Sequence, residues 1–157
     1  RFSFNNSDIH QEAVDLNGHN SGLELGLIAT QLLHKVALSG SVSYIQGTEN
    51  VGEKFYTKDV KLNRRALGFT FSTGKLFLPK SYQDYNQLNV NGMVEWIGQT
   101  NLNCGNTFVD VAPVLQFIIK SRMRLDLGYR IPVSNRLSRT APGGGLIRFE
   151  YNIFNAF

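Results

Sequence analysis

Side chains of an extended strand alternate between two faces, so an apolar residue at every second position marks a sheet with unlike sides. That alternation fills most of this chain. Leu23, Leu25, Leu27, Ala29 and Leu33 alternate with Gly22, Glu24, Gly26 and Thr30. After His34-Lys35 the phase flips, and Val36, Leu38, Val42 and Tyr44 oppose Ala37, Ser39, Ser41 and Ser43. The flip predicts a tight hairpin. Further on, Leu67, Phe69 and Phe71 oppose Arg64, Ala66, Gly68, Thr70 and Ser72, and Leu88, Val90, Val94 and Trp96 oppose Asn89, Asn91, Met93 and Glu95. A turn is expected from Leu78-Pro79-Lys80 to Asp84. The final segment, Gly144 to Phe157, places Ile147, Phe149, Tyr151, Ile153 and Phe157 against Arg148, Glu150 and Asn152. Arg1 to about Ile9, where Phe2 and Phe4 share a face, gives a weaker eighth segment, and the chain reads as starting inside a strand.

The clearest hairpin lies between Val109 and Val133. Val109, Val111, Pro113, Leu115, Phe117 and Ile119 form one apolar face, and Met123, Leu125, Leu127, Tyr129, Ile131 and Val133 form another. Keeping the two together requires Ile119 to pair with Met123 across Lys120 to Arg122. That register sets Gln116 opposite Asp126, Ala112 opposite Arg130, and Asp110 diagonal to Arg130. Pro113 and Pro132 cannot donate to a ladder, so each is expected at a bulge or a strand end.

Which side faces water decides the class. The alternating runs often reach ten or more residues, whereas strands of globular sheets average ~5–6. The polar face is rich in Gly, Ser, Thr and Asn and poor in Lys and Glu, unlike a solvated exterior. Counted back from the C-terminus, the expected connections alternate in length, long at 134–143, short at 120–122, long at 99–106, medium at 76–84, long at 47–61 and short at 34–35. Barrels of the outer membrane combine short turns at one end with long loops at the other, and turn their apolar face to lipid. A soluble β-sandwich or lipocalin-like barrel would instead bury the apolar face. The pattern thus predicts an all-β, antiparallel, up-and-down transmembrane β-barrel of about eight strands, one domain spanning 1–157. It could equally form the C-terminal part of a larger barrel whose upstream strands precede Arg1.

Composition agrees with that class. Of 157 residues, 42% are hydrophobic and 18% charged, outside the range of disordered tails. Eleven Phe and six Tyr suit strands and membrane interfaces. The net charge of +4 is spread along the chain without a basic run, which argues against nucleic acid as a partner. Cys104 is the single cysteine, with no second thiol for a disulfide and no nearby His for a metal. No apolar run approaches the ~18–20 residues a spanning helix needs, so a membrane-embedded form must be a closed barrel.

The terminal pattern of Phe149, Tyr151, Ile153 and Phe157 resembles the C-terminal assembly signal of outer-membrane β-barrel proteins, with Asn155 standing where an apolar residue is usual. The stretches Asp110-Val111-Ala112-Pro113-Val114-Leu115-Gln116-Phe117 and Arg124-Leu125-Asp126-Leu127-Gly128-Tyr129-Arg130-Ile131-Pro132-Val133 look like the transporter-like barrels of a phenol-degradation (MetA-pathway) family. Over about the last fifty residues, the resemblance implies passage of small hydrophobic or aromatic compounds. It also implies the bacterial outer membrane as location, its lipid as surroundings, and barrel-assembly machinery as the partner during biogenesis.

Catalytic arrangements are poorly represented. His19-Asn20-Ser21 superficially resembles the His-x-Ser element of outer-membrane lipid A deacylases, but it sits near the N-terminus and is followed by Gly22. A serine nucleophile also needs a base oriented by an acid, for which Asp15 and Glu24 are candidates. His10 with Asp8 and Glu12 makes a commonplace polar cluster, and His34 is a turn residue. Neither a metal nor another cofactor is expected. The residues that carry function are instead the inward charges: Glu24, Arg64, Glu95, Asp110, Arg124, Asp126, Arg130, Arg148 and Glu150. In a wide barrel they would line a passage and set its selectivity, and in a narrow one they would fill it as an ion-pair network. The expected function is a passive pore or transporter for small molecules. The alternatives are a closed structural or partner-binding barrel and, third, a lipid-modifying enzyme.

Overall fold

The computed structural model describes residues 1–4, 11–17, 20–48, 65–81, 84 and 86–153. Its strands are β1 (Phe2–Ser3), β2 (Gly22–Leu33), β3 (Val36–Gly47), β4 (Arg65–Leu78), β5 (Leu88–Asn101), β6 (Thr107–Ile119), β7 (Met123–Asn135) and β8 (Gly144–Tyr151). Each pairs antiparallel with its chain neighbours, giving one up-and-down sheet in the order β1 to β8, and no helix occurs among the described residues.

The sheet is not closed on itself among the described residues. β1 pairs only Phe2 with Leu23 and Ser3 with Gly22, so from Leu25 to Leu33 the outer edge of β2 carries no strand. Of the expected first segment the described residues include the strand Phe2–Ser3, and residues 5–10 lie outside the described part. At the other margin β8 is described as far as Tyr151, and residues 154–157 of the expected terminal segment lie outside the described residues. Tyr151 pairs with Met123, the first residue of β7, and Asn152 then donates its N–H to Arg122 O in the turn at 2.8 Å.

The expected hairpin register is found as derived. Ile119 pairs with Met123 and Gln116 with Asp126, and the pairs Val111–Ile131 and Val114–Gly128 bracket Ala112 and Arg130 in the same phase. Arg122 N–H donates to Ile119 O at 3.1 Å across Lys120 and Ser121, whose φ values are 51° and 54°. Both central residues are left-handed, the requirement of a type I′ turn. The ladder shifts register between Val109 and Asp110, where Pro132 sits opposite Asp110, so one of the two prolines does mark an irregularity. Pro113 does not. It stays within β6 opposite Val94 in unbroken register.

The long-short rhythm of connections fails at one hairpin. The connection 79–87 at the short-turn end is longer than 102–106 at the other. β5 runs on to Asn101, whose Oδ1 accepts from the N–H groups of Asn103 (2.8 Å) and Cys104 (3.3 Å) while its carbonyl accepts from Gly105. Gly105 takes φ 75°, a left-handed position that closes the loop tightly.

The two faces differ as the alternation requires. On the apolar face Leu27 is 83%, Tyr129 58% and Phe149 66% exposed. Two glycines there lie beneath aromatic rings, Gly98 under Phe69 and Gly92 under Phe77. The buried strand side chains Ile45, Ala66, Gln99, Asn101, Phe108, Asp110 and Asp126 lie on the opposite, polar face. This reverses the burial pattern of a soluble sheet.

Candidate functional site on the polar face

Small side chains clear the centre of the polar face. Across the ladder run Gly26, Ser43, Gly68 and Gln99, flanked by Ile28, Ser41, Thr70 and Ile97. A Cβ at Gly68 would stand 2.7 Å from Ser43 Oγ. Into the space so cleared folds a strap, Gln11 to Leu16. Val14 and Leu16 pack with Ile45 and Ala66, while Ala13 packs with Phe108 and Leu137.

Polar side chains of the sheet hold the strap by its backbone. Gln99 accepts from Val14 N–H and donates Nε2 to Val14 O, both at 2.9 Å. Asn101 Nδ2 donates to Glu12 O at 2.9 Å. The Glu12 carboxylate accepts from Ser138 N–H at 2.9 Å and Asn106 Nδ2 at 3.3 Å, and Thr140 donates to Gln11 Oε1. The strap ends in an Asx turn, Asn17 N–H to Asp15 Oδ1 at 2.7 Å, and a reciprocal bond pair joins Asp15 and Asn20. Such pairing satisfies backbone groups that burial would otherwise leave bare.

The expected charged residues fall into separate groups. Asp110 is fully buried and is gripped by two guanidinium groups. Arg130 donates Nε and Nη2 to its Oδ2 at 2.6 Å, the diagonal pair expected from the register. Arg139, from the connection between β7 and β8, donates Nη1 to Oδ2 and Nη2 to Oδ1, the latter at 2.9 Å. Both guanidinium groups lie over the Phe108 ring, Arg139 at 3.9 Å and Arg130 at 5.6 Å from its centroid, a cation–π arrangement. Toward the opposite end, Arg124 pairs with Asp126 (2.8 Å) and Arg148 with Glu150 (3.0 Å), with Asp126 opposite Arg148 and Arg124 opposite Glu150. Glu24 faces Arg1 at 3.9 Å. Glu95 stands apart, between Ser72 and Ala112. Arg64 lies outside the described residues.

Beneath the strap is a cavity of about 770 Å³, lined in part by Val14, Ile28, Ser43, Thr70, Phe108, Arg130 and Arg139. Sequence patterning reaches neither the strap nor Arg139, because both belong to connections without alternation. The only trace of the strap is that Gln99 and Asn101, two bulky amides, continue the polar phase of β5 beyond Trp96.

Other expected features remain separate from this site. Ser21 is buried and its carbonyl accepts from Thr48 N–H at 3.0 Å, while His19, His10 and Asp8 lie outside the described residues. Among the described residues no group of three His, Cys, Asp or Glu could hold a metal. Cys104 is exposed in its loop. Of the terminal aromatic pattern, Phe149 and Tyr151 lie on the exposed face of β8 and Ile153 just beyond it. Compared with protein-family models, curated proteins and solved structures, the chain matches none.

Proposed function

We propose that this sheet is wall of an outer-membrane β-barrel, whole or as the C-terminal part of a wider one, serving as a passive pore for small molecules. One observation carries the reading. Strands of twelve to fourteen residues from β2 to β7 present most of their exposed apolar side chains on one face and place their carboxylates, most of their other charges and their buried side chains on the other. In water that arrangement exposes an apolar area far beyond what monomeric soluble proteins tolerate. In lipid it is the expected one, since a barrel's outer band is apolar and its interior polar. The strap and the Asp110–Arg130–Arg139 cluster then narrow the lumen at one end. The bilayer is that of a Gram-negative outer membrane, reached through the barrel-assembly machinery by way of the terminal aromatics Phe149, Tyr151, Ile153 and Phe157. No catalytic role is assigned.

A second reading is a closed or partner-binding barrel without conductance, and the strap across the polar face favours it. Reconstitution in planar bilayers separates the two. Stable ohmic steps whose ion selectivity changes in Arg130→Glu support the pore. Insertion without steps supports the closed barrel, and a chain that stays soluble without detergent sinks both.

A further inference from the structure

We infer that the cavity beneath the strap binds a small organic anion, an apolar body carrying one carboxylate, with Arg130 as the recognising residue. The inference deepens the lumen reading above and rests on it. Its starting point is charge. Asp110 brings one negative charge to the two guanidinium cations of Arg130 and Arg139. The cluster is therefore one positive charge in excess. Two further carboxylates line the cavity, Glu24, which faces Arg1 at 3.9 Å, and Asp15, whose Oδ1 accepts from the Asn17 N–H at 2.7 Å.

The two arginines differ in what they have left. Arg139 lies along both carboxylate oxygens of Asp110, its side chain is 5% exposed, and it stacks on Phe108. It has no edge to offer. Arg130 commits Nε and Nη2 to a single oxygen of Asp110, keeps 37% of its side chain accessible and lines the cavity. Its Nη1 donates to no acceptor among the described residues. A guanidinium edge offers parallel N–H donors whose geometry matches a carboxylate.

The remaining wall sets the rest of the ligand. Val14, Ile28, Ile45, Ile97 and Phe108 supply the apolar part of the lining, and Ser43, Thr70 and Gln99 are among its polar residues. Its volume of about 770 Å³ lies within the ~300–1,000 Å³ usual for small-molecule sites. The surplus charge of the cluster beside the apolar part of the wall matches a monoanion with a hydrocarbon body. A strongly hydrated dianion would lose more water there than the single free edge of Arg130 could replace.

The test uses fluorine NMR of 6,6,6-trifluorohexanoate and of the corresponding amide, titrated into the whole chain folded in detergent, with empty micelles as the blank. The acid should bind saturably and about tenfold more tightly than the amide, a difference of ~1.4 kcal/mol. Arg130→Gln should erase the preference, Arg130→Lys should keep part of it, and Lys75→Gln on the opposite face should leave it intact. Circular dichroism of each variant reports whether the sheet has formed. Equal affinities in the parent, a preference that survives Arg130→Gln, or no saturable binding overturns the inference. Conductance measured on the same preparation separates the two readings. Ohmic steps without anion preference remove this site and leave the pore, and anion binding without steps does the reverse.

Discussion

Gln99 and Val14, 85 residues apart, pair as two strand residues would, the side-chain amide of one supplying both hydrogen bonds to the backbone of the other. A glutamine on β5 thus does for the strap what a neighbouring strand does for a ladder. Packing of Ala13, Val14 and Leu16 seats the strap, and the amide bonds satisfy the backbone groups that this packing buries.

Replacing Gln99 therefore loosens the strap without dissolving the sheet. Gln99→Leu leaves the buried N–H and C=O of Val14 without partners, a cost of about 1–3 kcal/mol per group. Gln99→Glu keeps the acceptor and loses the donor, so its effect should be intermediate. Amide exchange at Val14 should accelerate in that order while exchange within β6 stays unchanged. Equal protection of Val14 in all three proteins would refute the clamp.

The turn at Lys120-Ser121 holds two ordinary residues at positive φ. Each left-handed non-glycine residue costs roughly 1–2 kcal/mol, and Asn-Gly is the favoured pair for this turn. Substituting Asn-Gly should raise stability by about 1 kcal/mol, read as a higher urea midpoint at constant slope. An unchanged midpoint would show that the turn is not strained.

At Gly98 a methyl group would stand 2.2 Å from Phe69 Cζ. Gly98→Ala should destabilise by about 1–3 kcal/mol, as overpacking does. Adding Phe69→Leu should recover most of that loss, because the obstacle is the ring. A double variant no better than Gly98→Ala would place the strain in the backbone instead.

A charge on the apolar face tests the surroundings of the sheet. Leu127→Arg should cost ~2–4 kcal/mol when the chain folds into lipid vesicles. Gln116→Arg, on the polar face opposite Asp126, should cost clearly less. Equal penalties in vesicles would contradict a lipid-facing Leu127.

Period-2 patterning carries a long way here, because one apolar face fixes register wherever it runs unbroken. The pairing of Ile119 with Met123 and the diagonal ion pair of Asp110 with Arg130 both follow from the need to keep that face together. The same logic fails where alternation stops. Residues 11–16 bury Ala13, Val14 and Leu16 with no strand period, and their partners are amides that read as ordinary polar positions. Arg139 is one of several polar residues in a connection, and only the fold brings it to Asp110. β8 is described to Tyr151, which pairs with Met123, the first residue of β7, and residues 154–157 of the expected terminal segment lie outside the described residues. Closure likewise depends on what covers β2 and β8, which alternation within single strands does not specify.

The anchoring of the strap imposes an order of assembly. Its attachments lie on β5, just before β6 and in the connection after β7, so they come into being only once those later strands have formed. The strap precedes in the chain the strands that hold it, and is seated after them. Loop closure over so many residues is slow relative to building hairpins between neighbours. Until then the polar face stays uncovered, and a latch fitted at the finish distinguishes the completed sheet from every partial one.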